Sequence, residues 1–436
     1  MPGWTNLKNL VKEEITQRGE EGCDVSGFME RWETASAEAE LMALYYDLQK
    51  LRLRADFPYV EPSHLAGIRA LRPGKPASGG WAVTLDDAVL DRIHGAWLGR
   101  IAGCMLGKAV EGWSRDMVRS YLKAVGEYPL TDYFPRAEKK PEGIEHAPHS
   151  GMARGEWSHA LADDDTNYTT LGLKILEEKG PDFTTADVGW MWLSSLPYHH
   201  VCTAEKQAYL NLVNELPIGQ APLYLNPYRE WIGAQIRADF WGYCTPGRPE
   251  KAAELAYRDA SLSHVKNGIY GEMFCAAAIS AALVTDDLSE IIRAGLNEIP
   301  ASSRLAETVG DCMRWRAECP TWEEAFDRML QTYYGKYSWV HTNNNLAIVL
   351  IGLLYGWPDF EKAICISVMQ GMDTDCNGAT AGSIIGAALG AKALPDKWIK
   401  PLGGKLYTAV HGFPEPEIEE LARRTLKQAE KVLATI

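Results

Sequence analysis

Two short acidic segments contain the side chains best suited to chemistry. Asp163, Asp164 and Asp165 directly precede one helical pattern, and Asp373 and Asp375, in QGMDTDCNGATAG, directly precede another. A helix N-terminus gains from one capping carboxylate, so the remaining carboxylates need water or a cation. Apolar residues surround the second segment, which argues against a solvated turn there. Together the five carboxylates predict a site for one or two hard divalent ions.

Other kinds of site lack their sequence patterns. Neither acidic segment has the twelve-residue loop of an EF-hand, so Mg²⁺ or Mn²⁺ is expected in preference to a calcium-sensing site. The absence of HExxH and of close histidine pairs argues against zinc. The sequence contains no GxxxxGK[ST], no GxSxG, and no GxGxxG after a strand. It therefore lacks the main motifs of a P-loop, of the nucleophile elbow of an α/β-hydrolase and of a dinucleotide-binding site. The alternative for residues 163–165 is an acidic helix cap in contact with water.

Glu111 is the third candidate, because it follows a helix of small residues in GCMLGKAVEGW. A carboxylate at the end of a tightly packed helix can be held rigidly over a pocket, as a general acid or base requires. The alternative is a surface residue or an ion-pair partner of Lys108. Glu111 is therefore a catalytic candidate only in combination with the acidic segments.

Helical patterns dominate the chain after Trp81 and place both acidic segments at helix N-termini. Apolar residues recur at three- and four-residue spacing, whereas strand-like alternation is scarce and the βαβ rhythm is missing. We therefore predict an all-α fold of many packed helices. The predicted helices cover residues 87–107, 166–178, 204–215, 251–264, 268–284, 304–317, 322–334, 344–355, 377–393 and 415–433.

Two of these helices are rich in glycine. Gly95, Gly99, Gly103 and Gly107 recur every four residues and form one stripe without Cβ atoms, and GATAGSIIGAALGA at 378–391 has the same character. Glycine costs about 1 kcal/mol in a helix interior, so both stretches need a packing reason. We expect the two helices to cross near the centre of the fold.

The chain divides into an N-terminal extension, residues 1–80, and a main domain, residues 81–436. Apolar residues at mixed three- and four-residue spacing predict a helix over 27–54. The segment 73–80, PGKPASGG, is rich in Pro, Gly and Ser and is typical of a connector. None of the chemical candidates lies in the extension, so we expect the main domain to hold the site by itself.

The charge and the cysteine content of the chain argue against several kinds of partner and site. The 44 basic and 58 acidic residues give a net charge of −14, which opposes binding to nucleic acid or to an anionic membrane. Nine cysteines without a CxxC pair indicate neither a disulfide framework nor a zinc site. The first residues are charged where a signal peptide would be apolar, and we expect a cytoplasmic protein without a membrane span.

Three motifs in order resemble those of the ADP-ribosylglycohydrolase family. GAWLGRIAGCMLGKAVEG is similar to its opening GxxxGxxxGDxxGxxxE, LADDDTNYTTLGL to its [TS]DDT segment, and GMDTDCNGATAGSIIGAALGA to its GGDTDTxAxxAGAxxGA. The resemblance spans about residues 90–395. It implies an orthogonal multi-helix bundle with two metal ions between the acidic loops, and it identifies the chain as a divergent member.

The resemblance also implies roles for individual residues. Glu111 matches the glutamate beside the scissile bond, and Asp163 occupies the place of a hydroxyl ligand. Cys104 replaces an aspartate, Met372 replaces a glycine, and Cys376 stands where a threonine hydroxyl completes the second metal site. The implied metal ligands are Asp163, Asp164, Asp165, Asp373, Asp375 and Cys376.

The substrate is expected to be an ADP-ribosyl group, on a protein or on a small molecule. Segments 226–243, 263–274 and 340–349 mix polar with aromatic or aliphatic residues, as a sugar pocket requires, although buried structural networks share this composition. The substrate-binding candidates are Asn167, His264, Asn267, Tyr270, Glu272 and Asn344.

Hydrolysis at the anomeric carbon is the expected reaction, with Glu111 or Asp165 moving the proton and a metal ion lowering the pKa of the attacking water. One alternative is an N-glycoside hydrolase that acts on a nucleoside or a ribosylated metabolite. A second alternative, of another class, is a non-catalytic homologue that binds ADP-ribose or has a structural role.

Overall fold

The computed structural model describes residues 3–74 and 80–436, and within these ranges every regular element is a helix. Extended residues there pair only in isolated bridges. The predicted all-α fold is confirmed. The N-terminal helices are α1 (Leu7–Glu20), α2 (Phe28–Thr34), α3 (Glu38–Gln49) and α4 (Leu65–Ala70).

The main domain contains the other sixteen α-helices of the described residues. They are α5 (Asp87–Gly107), α6 (Arg115–Ala124), α7 (Asp164–Lys179), α8 (Thr185–Ser195), α9 (Thr203–Val213), α10 (Asp239–Tyr243), α11 (Pro249–Ala260), α12 (Lys266–Ala282), α13 (Leu288–Leu296), α14 (Arg304–Glu318), α15 (Trp322–Tyr333), α16 (Thr342–Gly356), α17 (Phe360–Met369), α18 (Thr374–Leu389), α19 (Asp396–Ile399) and α20 (Ile418–Leu433). Short 3₁₀ turns cover Lys108–Val110, Tyr198–His200, Ile218–Gln220, Gln235–Arg237, Ala391–Ala393 and Lys400–Leu402.

All ten helices predicted for the main domain are present, with ends that differ by about four residues at most. The single helix predicted over 27–54 is wrong, because α2 and α3 are separate. The carboxylate of Glu40 accepts hydrogen bonds from the backbone N–H groups of Ser36 and Ala37 and so starts a new helix. The chain after Gln49 is not helical.

The glycine-rich helices α5 and α18 form the centre of the domain. Gly99 packs against Gly382 and Gly103 against Gly378, so the two helices run antiparallel over several turns. A Cβ at either α5 position would overlap a carbonyl oxygen of α18. The predicted contact between these helices is confirmed, and it is longer than a single crossing. Helices α7, α12, α16, α17 and α20 pack around this pair.

The N-terminal extension is joined to the main domain by buried ion pairs. Arg229 donates to Glu14 at 2.6 Å and to Glu21 at 3.1 Å. Arg304 donates to both carboxylate oxygens of Glu61, to Oε1 at 3.0 Å and to Oε2 at 2.7 Å. A buried charge needs its partner, so these contacts bind α1 and residue 61 closely to the domain.

The predicted connector, 73–80, lies largely outside the described residues, because 75–79 are not among them. Beyond it, Trp81 donates its backbone N–H to the carbonyl of Gly247. None of the described helices is both long enough and apolar enough to cross a bilayer.

Candidate functional site

The first acidic segment begins α7. Asp163 adopts an extended conformation at the N-cap, and its Oδ1 accepts the backbone N–H of Asp165 at 2.9 Å. One carboxylate thus satisfies the helix end, and Asp164 and Asp165 are not needed for capping. Asp165 is fully buried. Asp164 and Asp165, in the first turn of α7, are therefore the carboxylates beyond those needed for capping.

The second acidic segment begins α18. Asp373 occupies the N-cap position but its side chain makes no capping hydrogen bond, and Asp375 lies in the first turn. Both residues are buried, with 6% and 5% of their surface exposed. Carboxylate oxygens of the two residues lie within 4.8 Å of each other. Their side chains are thus directed to a common site in preference to the helix end.

Two hydrogen bonds, one on each side of Glu111, hold its segment against the start of α18. Thr374 donates its hydroxyl to the carbonyl of Gly107 at 2.8 Å, where the α5–α18 contact ends. After Glu111, the backbone N–H of Gly112 donates to the carbonyl of Met372 at 2.9 Å. Met372 has φ of +66°, a conformation that glycine adopts without strain, and in the resembling motif a glycine stands at this position.

The acidic segments and Glu111 converge into overlapping groups whose ligand atoms lie within 4.8 Å of one another. Two of the groups share Asp165 and two share Asp375, so the groups form one continuous centre. Only the group that includes Glu111 consists entirely of carboxylates. The groups are Cys104 with Asp163 and Asp165, Asp165 with Asp375 and Cys376, and Glu111 with Asp373 and Asp375.

Crowding of the carboxylates changes their proton affinity. Burial and the charge of Asp163 raise the pKa of Asp164 well above its ordinary value, and burial raises that of Asp165 although Arg100 opposes it. Burial and Asp375 likewise raise the pKa of Asp373. Without a cation, the centre must therefore keep protons that isolated aspartates lose.

Glu111 shows the same effect at the exposed edge of the centre. Its residue surface is exposed, but its carboxyl faces Asp375. Repulsion from Asp375, together with burial of the carboxyl, raises the pKa of Glu111 to about 8. A carboxyl with such a pKa can hold a proton near neutral pH and release it to a substrate.

Three residues of α5 and the 3₁₀ turn directly after it lie beside the site, although the sequence reasoning did not place them there. Arg100 is fully buried and donates to Asp165 Oδ1 at 3.0 Å and to Asp239 at 2.8 Å. Lys108 forms an ion pair with Asp163, and Cys104 lies within reach of the same carboxylate. Each follows a glycine of the stripe, at four-residue spacing, so a polar stripe beside the glycines was the available signal.

The sequence reasoning also missed Cys202. Burial, together with the nearby charge of Asp164, raises the pKa of its thiol. Cys202 is the N-cap residue of α9, so it connects the acidic centre to this helix. No local sequence pattern marks it, because only the tertiary fold brings it to Asp164.

The residues present fit a hard divalent ion. Asp165 Oδ2 is buried and has no hydrogen-bond partner among the described residues, whereas Oδ1 is held by Arg100. An orphaned buried carboxylate oxygen that faces other carboxylates is unfavourable unless a cation binds there. Cys376 differs from the rest of the donor set, because burial keeps its thiol protonated and a thiol is a poor ligand for Mg²⁺ or Mn²⁺.

Two predicted substrate-binding residues contact the N-terminal extension. Asn267 donates to Glu61 at 2.9 Å and to Glu230 at 2.8 Å. Tyr270 donates its hydroxyl to the carbonyl of Pro62 at 2.6 Å. Both polar groups are therefore occupied by protein partners.

Two others belong to a buried network around Arg237. Glu272 lies 3.6 Å from the guanidinium, is fully buried, and has neither oxygen hydrogen-bonded within the described residues. His264 bonds to Ser263 at 2.8 Å, and burial and Arg237 keep its pKa well below the ordinary value. Arg237 also pairs with Glu205 and lies 5.5 Å from the ring centre of Tyr168.

The remaining two predicted substrate-binding residues are buried amides with one free polar atom each. Asn167 accepts the backbone N–H of Ala409 at 2.9 Å, and its Nδ2 has no partner among the described residues. Asn344 donates to the carbonyl of Ser338 at 2.8 Å, and its Oδ1 has none there. Asn167 follows the acidic segment by two residues, so it lies closest in sequence to the centre.

The described residues thus form an all-helical domain that joins two acidic helix N-termini to a glutamate. A family model for the ADP-ribosylglycohydrolases matches residues 85–433, and the chain therefore belongs to the ADP-ribosylglycohydrolase family. This confirms the family that the three motifs indicate.

Two further comparisons add nothing to this family assignment. One similar solved structure is described as an ADP-ribosylglycohydrolase-related protein complex; it has 19% sequence identity and a TM-score of 0.49, and the alignment covers 80% of this chain and 100% of that chain. The comparison with curated proteins gives no match.

Proposed function

We propose that the protein is a divalent-metal-dependent hydrolase that cleaves a glycosidic bond of ribose, with an ADP-ribosyl group as the substrate. The observation that carries the proposal is the all-carboxylate group of Glu111, Asp373 and Asp375 within 4.8 Å. The family supports glycosidic cleavage. Mg²⁺ or Mn²⁺ is the expected ion, because the group offers oxygen ligands alone.

Asp373, Asp375 and the free oxygen of Asp165 would hold the ion. When bound, the ion supplies positive charge that orients the ribose hydroxyls and makes a water molecule more acidic. Arg100 fixes the other oxygen of Asp165 and so positions this carboxylate. The arrangement suits Asp165 as a ligand better than as a proton carrier, since it is fully buried.

Glu111 is the residue that moves the proton in this proposal. It lies at the exposed edge of the centre, where a substrate can enter, and repulsion from Asp375 together with burial raises the pKa of its carboxyl. It would donate that proton to the leaving group as the anomeric carbon gains positive character. The aspartates then stabilise the developing charge on the sugar ring.

A nucleoside or another small N-ribosyl compound is the second candidate substrate. The N-terminal extension favours it, because Trp4 and Leu10 pack with Ala204 and Tyr228. Ala204 lies two residues beyond Cys202, whose thiol pKa is raised in part by the nearby charge of Asp164, so the extension packs on the α9 side of the acidic centre. Cover on that side favours a compact substrate over one attached to a large protein.

One substrate panel tests both candidates and the non-catalytic alternative. The full chain with Mn²⁺ would be incubated with ADP-ribosyl-arginine, ADP-ribosyl-serine, α-NAD⁺, β-NAD⁺ and simple nucleosides, and free ADP-ribose, ribose and base would be measured. Release of ADP-ribose that is lost in Asp375→Asn supports the first candidate. Release from nucleosides alone supports the second, and no release from any compound overturns the enzyme proposal.

A further inference from the structure

Lys108 places a fixed positive charge inside the acidic centre. It begins the 3₁₀ turn directly after α5, and only 13% of its side chain is exposed. Its ammonium group forms an ion pair with Asp163 and lies 3.5 Å from the carbonyl oxygen of Ala162. The ammonium group of Lys108 is thus held directly beside the acidic centre.

Both carboxylate oxygens of Asp163 already accept a hydrogen bond. Its Oδ1 accepts the backbone N–H of Asp165, and its Oδ2 accepts Lys108. The third member of this group is Cys104, which stands where the resembling motif has an aspartate. Burial raises the pKa of the Cys104 thiol well above its ordinary value, so this position offers a neutral, soft donor.

The end of the centre that contains Glu111 offers a different set of donor atoms. Glu111, Asp373 and Asp375 are all carboxylates. Lys108 Nζ is paired to Asp163 and not to these residues. The orphaned Oδ2 of Asp165 lies between the two ends, since Asp165 belongs to the groups of both Cys104 and Asp375. A hard cation therefore finds carboxylates alone at the Glu111 end, whereas the Asp163 end combines its carboxylates with an ammonium group and a thiol.

From this asymmetry we propose that the Lys108 ammonium replaces one of the two divalent ions, so that the chain binds a single divalent ion at the end of the centre formed by Asp373 and Asp375. The inference rests on the proposed function, because it concerns the same centre. The ammonium group of Lys108 supplies positive charge to the half of the centre that contains Asp163, so this half needs no exchangeable ion. Lys108 is in this view a positioning residue for Asp163 and Asp165.

Metal stoichiometry tests the inference without reference to turnover. Metal-stripped full-length chain would be titrated with Mn²⁺ alone by calorimetry, with bound metal counted after dialysis and Mn–Mn coupling followed by electron paramagnetic resonance. We expect one Mn²⁺ per chain in the wild type and two in Lys108→Ala. The exposed Lys392→Ala removes the same charge elsewhere and should keep one.

A second pair of variants covers the case in which Lys108→Ala does not fold. Cys104→Asp restores a carboxylate but keeps Lys108, so it should still bind one Mn²⁺, whereas Cys104→Asp with Lys108→Ala should bind two. Two ions in the wild type or in Cys104→Asp would overturn the inference and leave the proposed function standing. One ion in both variants that lack Lys108 would overturn it as well, and no Mn²⁺ in the wild type would overturn both proposals.

Discussion

Gly103 packs directly against the carbonyl oxygen of Gly378, in the space that a Cβ on residue 103 would need. One turn further along, Gly107 makes the same kind of contact with the backbone of Thr374. The next residues on the two helices are those of the acidic centre. Close packing of α5 on α18 therefore sets the distance between Glu111 and Asp375.

Gly103→Ala should destabilise the fold by about 2 kcal/mol or more, because backbone atoms of α18 cannot move aside as a flexible side chain would. Chemical denaturation measures the effect. The control is Gly310→Ala in α14, where an added Cβ meets no atom within 4 Å. This control should stabilise by up to about 1 kcal/mol through helix propensity. Equal effects at both positions would contradict the packing argument.

Mg²⁺ or Mn²⁺ at millimolar concentration should raise the melting temperature, and chelator should lower it. A bound ion at a hundredfold excess over Kd stabilises by about 2.7 kcal/mol through mass action. Asp375→Asn should remove most of this gain, because Asp375 belongs to two of the three ligand groups. Asp359→Asn, a change at the N-cap of α17 outside the centre, should leave the gain intact. Thermal scans with and without metal decide between these outcomes.

Glu111→Gln should keep the metal-dependent gain in melting temperature and reduce kcat by about a hundredfold or more, the range expected when proton transfer is lost. The amide retains an oxygen that can face the ion but cannot donate a carboxyl proton. Steady-state rates on the substrate found by the panel, measured beside thermal scans, test the assignment. Loss of both properties together would show that Glu111 acts mainly as a ligand.

Cys376→Thr should tighten Mn²⁺ binding by about three- to tenfold, since a hydroxyl oxygen suits a hard cation better than a neutral thiol and one such contact contributes about 0.5–1.5 kcal/mol. Calorimetric titration measures the change. Cys365→Ser, a buried cysteine on α17 outside the ligand groups, is the matched control for removing a sulfur. Unchanged affinity in Cys376→Thr would place residue 376 outside the coordination shell.

Glu20 predicts a pH dependence that is independent of metal. Burial raises its pKa from 4.5 to about 8, although the backbone N–H of Ser338 donates to Oε1 at 2.6 Å. Because the folded-state pKa is raised, the protonated group contributes stability below pH 4.5, and this contribution is lost as the pH rises towards about 8. Glu20→Gln should therefore stabilise the protein at pH 8 more than at pH 5.

Denaturation curves at both pH values test this, with the exposed Glu33→Gln as the charge control. A pH-independent difference between Glu20→Gln and wild type would show that the Glu20 carboxyl is ionised throughout.

The acidic centre could be predicted from sequence because its members are local. Asp163, Asp164 and Asp165 are consecutive, Asp373 and Asp375 are two apart, and both segments begin helices whose periodicity is strong. The glycine spacing likewise predicted the contact between α5 and α18. These signals depend on residues of one element only.

The surroundings of the centre could not be predicted in the same way. Asn267 and Tyr270 have the polar character of a sugar pocket, but their partners, Glu61 and Pro62, lie more than two hundred positions away in the chain. Composition does not separate a ligand contact from a buried structural hydrogen bond. Lys108 was visible only as an ion-pair partner, because its pairing with Asp163 depends on where α7 begins.

The ion pairs of the N-terminal extension have a consequence for synthesis of the chain. Arg229 is 215 positions beyond Glu14, and Arg304 is 243 positions beyond Glu61. During translation, α1 leaves the ribosome long before either arginine exists, so its carboxylates stay hydrated until the later helices emerge. Helix α1 is thus made early but docks late, and its docking depends on a chain extended at least through Arg304.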